Sequence, residues 1–311
     1  MKVPVLFICF IYGYCCQAQV LPAQNNTSDT LNSRRDFLEV YKANADLSYT
    51  SPKGELGSPQ KYVIIGRLTT SYFLLAKPEI PVSFALVPDF TVKVNDERSA
   101  GVRTPSLRLG GIGYYRLKST KSRYRYASLR FTHHSNGQDG DALNPDGSIN
   151  TRDGNFSTNY LTASYHFGQE QSASGTEVTV SDNTAVQQGS WNRFNHQIGF
   201  EWHKWFSYEA ALEDDYGFSR MIYNFSMQHH HGHIENWRLY AGMNYAVNQM
   251  SAYALGAIRK RLNTEVSFHY AFPFMNKAFI MASAGYYGED PYNIYYRNKY
   301  SYLRLGVSTA L

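Results

Sequence analysis

The sequence predicts an all-β protein, a transmembrane antiparallel β-barrel of about twelve strands. Segments of about ten residues with alternating apolar and polar side chains recur along the chain, and this length lets a tilted strand cross a bilayer. Aromatic residues are abundant, with 26 tyrosines and 18 phenylalanines. The start of the chain is typical of an exported protein. Together these three observations favour a barrel of the bacterial outer membrane over a soluble globular fold.

Residues 1–19 predict a secretory signal peptide. One lysine precedes an apolar run, and the small and polar stretch "CQAQ" suits cleavage by a signal peptidase. A lipoprotein signal is the alternative, although neither Cys15 nor Cys16 follows a small residue. With Cys9, these two are the only cysteines, so the mature chain is expected to hold no disulfide, thiolate metal site or cysteine nucleophile.

Residues 20–58, a polar stretch that includes "SPKGELGSP", predict an N-terminal arm, and residues 59–311 predict one barrel domain. No stretch after the signal approaches the roughly eighteen apolar residues of a transmembrane helix. An even number of strands with both chain ends in the periplasm closes a barrel without free edges. The expected strands are 61–71, 82–94, 106–117, 123–135, 159–168, 193–206, 217–228, 234–246, 249–260, 262–272, 277–287 and 300–311.

Two polar inserts, 138–158 and 168–190, are rich in turn-forming residues and predict long loops. If the chain starts in the periplasm and its fourth strand, 123–135, runs outward, the first insert is extracellular and the second periplasmic. The tract "QHHHGHIEN", which holds His229 and His233, falls where a short polar turn is expected, with adventitious transition-metal binding as the alternative. The net charge of +5 is too small to indicate nucleic-acid binding.

The stretch "RFTHHSNGQ" holds candidate catalytic residues at the end of a strand. Alternation along the strand puts His133 and Ser135 on the apolar face, which meets lipid, and Asn159 opens the next strand on the same face. A serine nucleophile needs a base such as His133 to take its proton, and an asparagine carbonyl can orient that base. The exposed backbone amides of the tight-turn dipeptide Asn136-Gly137 could donate to an oxyanion. The alternative is an ordinary polar turn after a strand.

The motif "HHSNG" on a barrel strand, followed by an asparagine on the next strand, resembles the outer-membrane phospholipase A family. The stretches "TPSLRLGGIGYYRL" and "GYYGEDPYNIYYRNKYSYLRLGV" are similar to the family's preceding strand and closing hairpin. The resemblance implies that His133 is the general base, Ser135 the nucleophile, Asn159 the orienting residue and Gly137 the oxyanion donor. It also implies calcium-dependent hydrolysis of phospholipid acyl esters by a homodimer, with the active site at the outer leaflet.

The chain departs from the family's pattern around the asparagine. The usual Ser-Trp-Asn-Arg context is replaced by "STNYL", while a literal "SWNR" makes Asn192 an alternative to Asn159. We prefer Asn159, because Asn192 is expected to lie a bilayer thickness from Ser135. A non-enzymatic barrel, either a pore or a structural or adhesive protein, remains the alternative function. Calcium is a hard cation that prefers oxygen ligands. The candidate ligands are Ser99, Gln138, Asp139, Asp141 and Asp146, and the same insert also offers Asp153.

Overall fold

The structure is a computed structural model. It describes residues 40–41, 44, 46–77, 79–97, 102, 105–118, 122–172, 178–181, 184–187, 189–232, 234–272, 274 and 278–309. The predicted signal peptide, most of the predicted arm before residue 46, and Ser99 lie outside these residues. None of the described helices is both long enough and apolar enough to cross a membrane.

The described strands form a closed antiparallel barrel of 12 strands, which confirms the predicted fold class. Two of the 12 barrel positions are each built from two shorter strands, β2 with β3 and β4 with β5. The second interruption falls at Pro88, which has no backbone N–H to donate. Pairing of β6 with β7 closes the barrel.

The strand bounds are as follows: β1 Ser48–Pro52, β2 Tyr62–Thr69, β3 Tyr72–Ala76, β4 Val82–Leu86, β5 Asp89–Asn95, β6 Ser106–Arg116, β7 Arg123–Ser135, β8 Ser157–Ser172, β9 Val178–Ser181, β10 Thr184–Gln187, β11 Ser190–Trp202, β12 Ser219–His231, β13 Ile234–Ala246, β14 Leu262–Ala271, β15 Ala278–Tyr287 and β16 Tyr300–Thr309. The hairpin of β9 and β10 is a separate two-stranded sheet within the second predicted insert. A short α-helix, α1 (Ile258–Arg261), precedes β14, and two 3-10 helices span Ala210–Leu212 and Asn293–Tyr295.

The predicted strand 249–260 is wrong, because these residues form a loop and the start of α1. The buried guanidinium of Arg261 organises this loop by donating to the main-chain carbonyls of Ala246, Asn248, Tyr253 and Ala254. The missing barrel strand is β1, which lies inside the predicted arm 20–58 and pairs with both β2 and β16. With five residues, three of them polar and one a proline, β1 shows too little alternation to be read from sequence.

The additional strand β1 also changes the strand numbers from which the orientation of the barrel was predicted. The strand 123–135, expected to be the fourth, is the fifth barrel strand, because β1 precedes it. It therefore runs in the same direction as β1, away from the end where the described barrel strands begin. We call the end where β7 stops the site end, and the end where β1 starts and β16 stops the opposite end.

Side chains alternate between the two faces of β7. Leu129 and Phe131 point outward and are 54% and 41% exposed, whereas Thr132 and His134 point into the barrel and are buried. The interior is polar, as alternation in a membrane barrel predicts. Many of its charged groups are paired, for example Arg67 with Asp89 at 2.8 Å.

Three loops at the site end pack together over the barrel mouth and share one hydrophobic cluster, which we call the cap. The loops are 136–156, 203–218 and 288–299. Phe156, Leu212, Phe218 and Tyr296 are fully buried in the cap. Burial of this apolar surface fixes the loops relative to one another and to the strand ends that they connect.

Buried ions tie the cap to the barrel wall. Lys93 on β5 lies 3.2 Å from Glu55 and 3.3 Å from Asp290, and Arg304 on β16 donates to Glu55 at 2.8 Å. Burial alone would raise the pKa of Glu55, but Lys93, Arg304 and Tyr300 lower that pKa from 4.5 to about 2. Burial raises the pKa of Asp290, despite the opposing charge of Lys93.

These two carboxyl groups affect stability in opposite directions. The ionised Glu55 contributes stability that is present above pH 4.5 and is lost as the pH falls toward 2. Asp290 acts in the other sense: the folded state favours its protonated form, so its contribution falls as the pH rises through its raised pKa.

The substitution Lys93→Met should lower the free energy of unfolding by about 3 kcal/mol, because it removes the cation that Asp290 and Glu55 share and leaves Glu55 with Arg304 alone. Urea unfolding in detergent micelles, followed by the heat-modifiable gel mobility of the barrel, would measure the change. Adding Asp290→Asn to Lys93→Met should recover part of the loss, since it removes one of the two carboxylates. An unchanged unfolding midpoint in Lys93→Met would contradict this account of the cluster.

Candidate active site

The structure brings His133, Ser135 and Asn159 together on the outer face of the barrel at the site end. Antiparallel pairing of β7 and β8 puts His133 directly opposite Asn159 and Ser135 opposite Ser157. Leu129 and Phe131 continue the same outward stripe of β7 toward the middle of the barrel. Three polar side chains therefore lie at the end of an apolar, lipid-facing stripe.

The imidazole of His133 is held in place by Asn159. The two side chains meet with a distance of 2.8 Å between His133 Nδ1 and Asn159 Oδ1. Asn159 Nδ2 in turn donates to the main-chain carbonyl of Ser207, also at 2.8 Å. A carbonyl oxygen can only accept, so the Asn159 side chain must present its NH₂ group to Ser207 and its oxygen to the histidine.

This arrangement decides the tautomer of His133. Because Asn159 Oδ1 is an acceptor, His133 Nδ1 carries the proton in the neutral ring, and Nε2 is left with its lone pair. A lone pair on Nε2 is what a general base needs. The main-chain carbonyl of Ser207 thus fixes the protonation pattern of the histidine through the orientation of Asn159.

Ser135 lies two residues after His133 on the same face of β7. Among the described residues, no hydrogen bond joins Ser135 Oγ to the imidazole of His133. Their Cα atoms are about 6.6 Å apart along the strand, so side-chain rotation can bring the hydroxyl toward Nε2. In hydrolases such contacts often tighten only in the complex with substrate.

Asn136 clamps the loop that follows the serine. Its side chain is 1% exposed; Nδ2 donates to the carbonyl of Gly154 at 2.7 Å, and Oδ1 accepts from the amide of Phe156 at 2.8 Å. The next residue, Gly137, has φ 65, a left-handed conformation that favours glycine. The two ends of the loop are thereby tied together, and the amide of Gly137 is held two residues from the serine.

The proposed calcium ligands do not gather at one point. Asp146 Oδ1 accepts from the amide and hydroxyl of Ser148 and closes a local turn, while Asp153 accepts from Asn150. No group of three or more His, Cys, Asp or Glu side chains in the described residues is placed to hold a metal ion. Asp139, Asp141 and Asp146 therefore do not form a calcium site by themselves within one chain.

Asn192 belongs to a different cluster at the opposite end of the barrel. Its Oδ1 lies 2.8 Å from His229 Nδ1, and the ring of His229 stacks on Trp237. The outward neighbours of His229 on β12 are Met227 and His231, so no serine occupies the place that Ser135 has beside His133. Residues 228–231 of the histidine tract end β12 and residues 234–236 begin β13, while His233 lies outside the described residues.

Two residues of the site were not recognised in the sequence. Asn136 belongs to the motif "HHSNG", but its role as a clamp depends on Gly154 and Phe156 across the loop. Ser207 contributes a main-chain carbonyl, which any residue could supply, so no sequence pattern indicates it.

No family model and no curated protein matches the sequence. Solved structures do match the fold. Outer membrane phospholipase A from Escherichia coli is 10% identical with a TM-score of 0.54, covering 85% of this chain and 92% of that chain. The Salmonella typhi outer membrane phospholipase, described as a dimer with bound calcium, is 12% identical with a TM-score of 0.55, covering 91% and 97%. The chain therefore has the fold of the outer-membrane phospholipase A barrels.

Proposed function

We propose that this protein is a phospholipase of the outer membrane that hydrolyses the acyl esters of glycerophospholipids and lysophospholipids. Ser135 is the nucleophile, His133 the general base and Asn159 the residue that orients the base. The observation that carries the proposal is the 2.8 Å contact between His133 Nδ1 and Asn159 Oδ1 on the lipid-facing side, beside a serine.

The reaction proceeds by acyl transfer. His133 Nε2 takes the proton of Ser135 as its Oγ attacks the ester carbonyl, and the amide of Gly137 donates to the developing oxyanion. The ester bond breaks, and the lysophospholipid alkoxide leaves with the proton from His133. Water, deprotonated by the same histidine, then releases the fatty acid and restores the serine.

The position of the site favours a membrane lipid as substrate. The three residues lie on the outer face, where an ester can reach Ser135 by lateral diffusion within the bilayer. With the N-terminus in the periplasm, the site end lies at the outer leaflet, and this orientation is part of the proposal. The alternative of a pore is disfavoured, because buried ion pairs such as Lys93 with Glu55 narrow the barrel interior.

We also propose that the active form is a homodimer that requires calcium. The ligand set within one chain is incomplete, so a second copy would have to contribute oxygens. Leu129, Phe131 and Tyr165 form an exposed apolar stripe beside the site, to which a second barrel could bind. Control by association would also prevent a lipid-facing enzyme from degrading its own membrane continuously.

Ser135→Ala and His133→Ala should each abolish release of fatty acid from phospholipid in mixed micelles, because each removes a group that takes part in the chemistry. Both variants should keep the heat-modifiable mobility of a folded barrel, since the two side chains lie on its surface. Full hydrolysis by folded Ser135→Ala would exclude this serine as the nucleophile.

Asn159→Ala should lower kcat by about 10- to 100-fold, less than the serine change, because one hydrogen bond to a charged group contributes about 1.5–3 kcal/mol. The matched control is Asn192→Ala, which removes an asparagine paired with a histidine at the opposite end. Its kcat should equal that of the wild type. A loss of activity confined to Asn192→Ala would reverse the assignment.

Leu129→Arg should weaken both association and activity, since it puts a charge on the apolar stripe without touching the three site residues. Cross-linking yield in micelles should rise with calcium in the wild type and fall when a chelator is added. Activity should increase more steeply than linearly with protein density. A strictly monomeric preparation with full activity would refute the dimer and leave the hydrolase proposal standing.

A further inference from the structure

The chain after β11 folds back along the outer edge of the active site. Phe206 packs edge-on against Phe131, with ring centroids 5.7 Å apart. The next residue, Ser207, accepts the hydrogen bond from Asn159, and the amide of Glu209 donates to the carbonyl of Ser157 at 2.9 Å. Residues 205–209 therefore run beside the start of β8, where β11 has already ended.

The segment 205–207 presents aromatic surface outward. Trp205 is 75% exposed and contacts Trp202 on the outer face of β11, with ring centroids 3.8 Å apart. Exposed tryptophans at the ends of barrel strands are typical of the girdle at the boundary between acyl chains and head groups. The segment therefore contacts lipid, whereas the neighbouring Leu212 and Phe218 are buried in the cap.

An ester bound at Ser135 has one direction in which its acyl chain can remain in an apolar environment, namely along the outer face toward the middle of the barrel. Phe131 lies four residues before Ser135, about 13 Å along the strand. A sixteen-carbon chain reaches this position, but a four-carbon chain does not. At this position the ring of Phe206 packs against the ring of Phe131, on the side of β7 where Asn159 lies.

We infer that the segment 205–207 is an acyl-chain wall, in which Phe206 and Trp205 bind the long chain of the scissile ester and so select long-chain lipids. The inference rests on the proposed function, because it assumes that the ester is held at Ser135. One segment then has two roles: its carbonyl at Ser207 positions Asn159, and its two aromatic side chains determine specificity.

The test compares kcat/KM for a butanoyl and a hexadecanoyl glycerophospholipid ester in the same mixed micelles. Phe206→Ala should lower kcat/KM for the hexadecanoyl ester by about tenfold, as expected for lost apolar contact in a specificity site, and leave that for the butanoyl ester unchanged. Phe206→Leu should restore part of the loss. Phe268→Ala, which removes a 44% exposed phenylalanine on β14, should change neither value.

Equal losses for the two esters in Phe206→Ala would overturn the inference, because a purely structural role through Ser207 and Asn159 acts on every substrate alike. The proposed function would stand in that case. Wild-type protein that hydrolyses neither ester would instead contradict the proposed function.

A binding measurement tests the inference without requiring hydrolysis. In a Ser135→Ala protein whose Trp191, Trp202 and Trp237 are changed to phenylalanine, a lysophospholipid brominated near the middle of its acyl chain should quench Trp205 saturably. Adding Phe206→Ala should raise the lysophospholipid concentration that gives half-maximal quenching by about tenfold. Quenching that rises without saturation, or a midpoint unaffected by Phe206→Ala, would show that no acyl-chain site exists here.

Discussion

The register between β7 and β8 is the constraint on which the candidate site depends. Antiparallel pairing puts His133 opposite Asn159, and the two-residue period of a strand keeps Ser135 on the same outer face. A shift of one residue would turn all the outward side chains of one strand into the lumen. The strands on either side of this pair prevent such a shift, because β7 also pairs with β6 and β8 also pairs with β11.

Contacts in the polar interior and in the cap fix the positions of the site residues on the outer face. Buried ions such as Lys93 and Glu55 hold the barrel wall together, and the cap packs three loops over the mouth. Asn136 ties one of these loops to the end of β7, and Ser207 ties another to Asn159. The surface residues of the site therefore have their positions fixed by contacts of the interior and of the cap.

The inner and outer faces of the barrel have separate roles in the proposed function. The inner face supplies stability through paired charges, whereas the outer face offers an apolar stripe with polar residues at one end. The segment 205–207 lies where the outer face meets the cap. It can therefore position Asn159 by a main-chain contact and offer aromatic side chains to lipid.

Much of the architecture followed from local pattern, because period-two alternation and aromatic content are properties of the sequence itself. Alternation was also enough to put His133, Ser135 and Asn159 on one face. It failed at β1, which is short and polar, and at 249–260, where Arg261 organises a loop. The calcium set, Gln138, Asp139, Asp141 and Asp146, was chosen by residue type, but the described residues do not bring its three carboxylates together. The sequence by itself determined which face each strand residue occupies, because strand geometry is periodic. Only the tertiary structure decided the clamp at Asn136, the hydrogen bond from Asn159 to the carbonyl of Ser207 and the contact of Phe206 with Phe131, because these depend on segments distant in the chain.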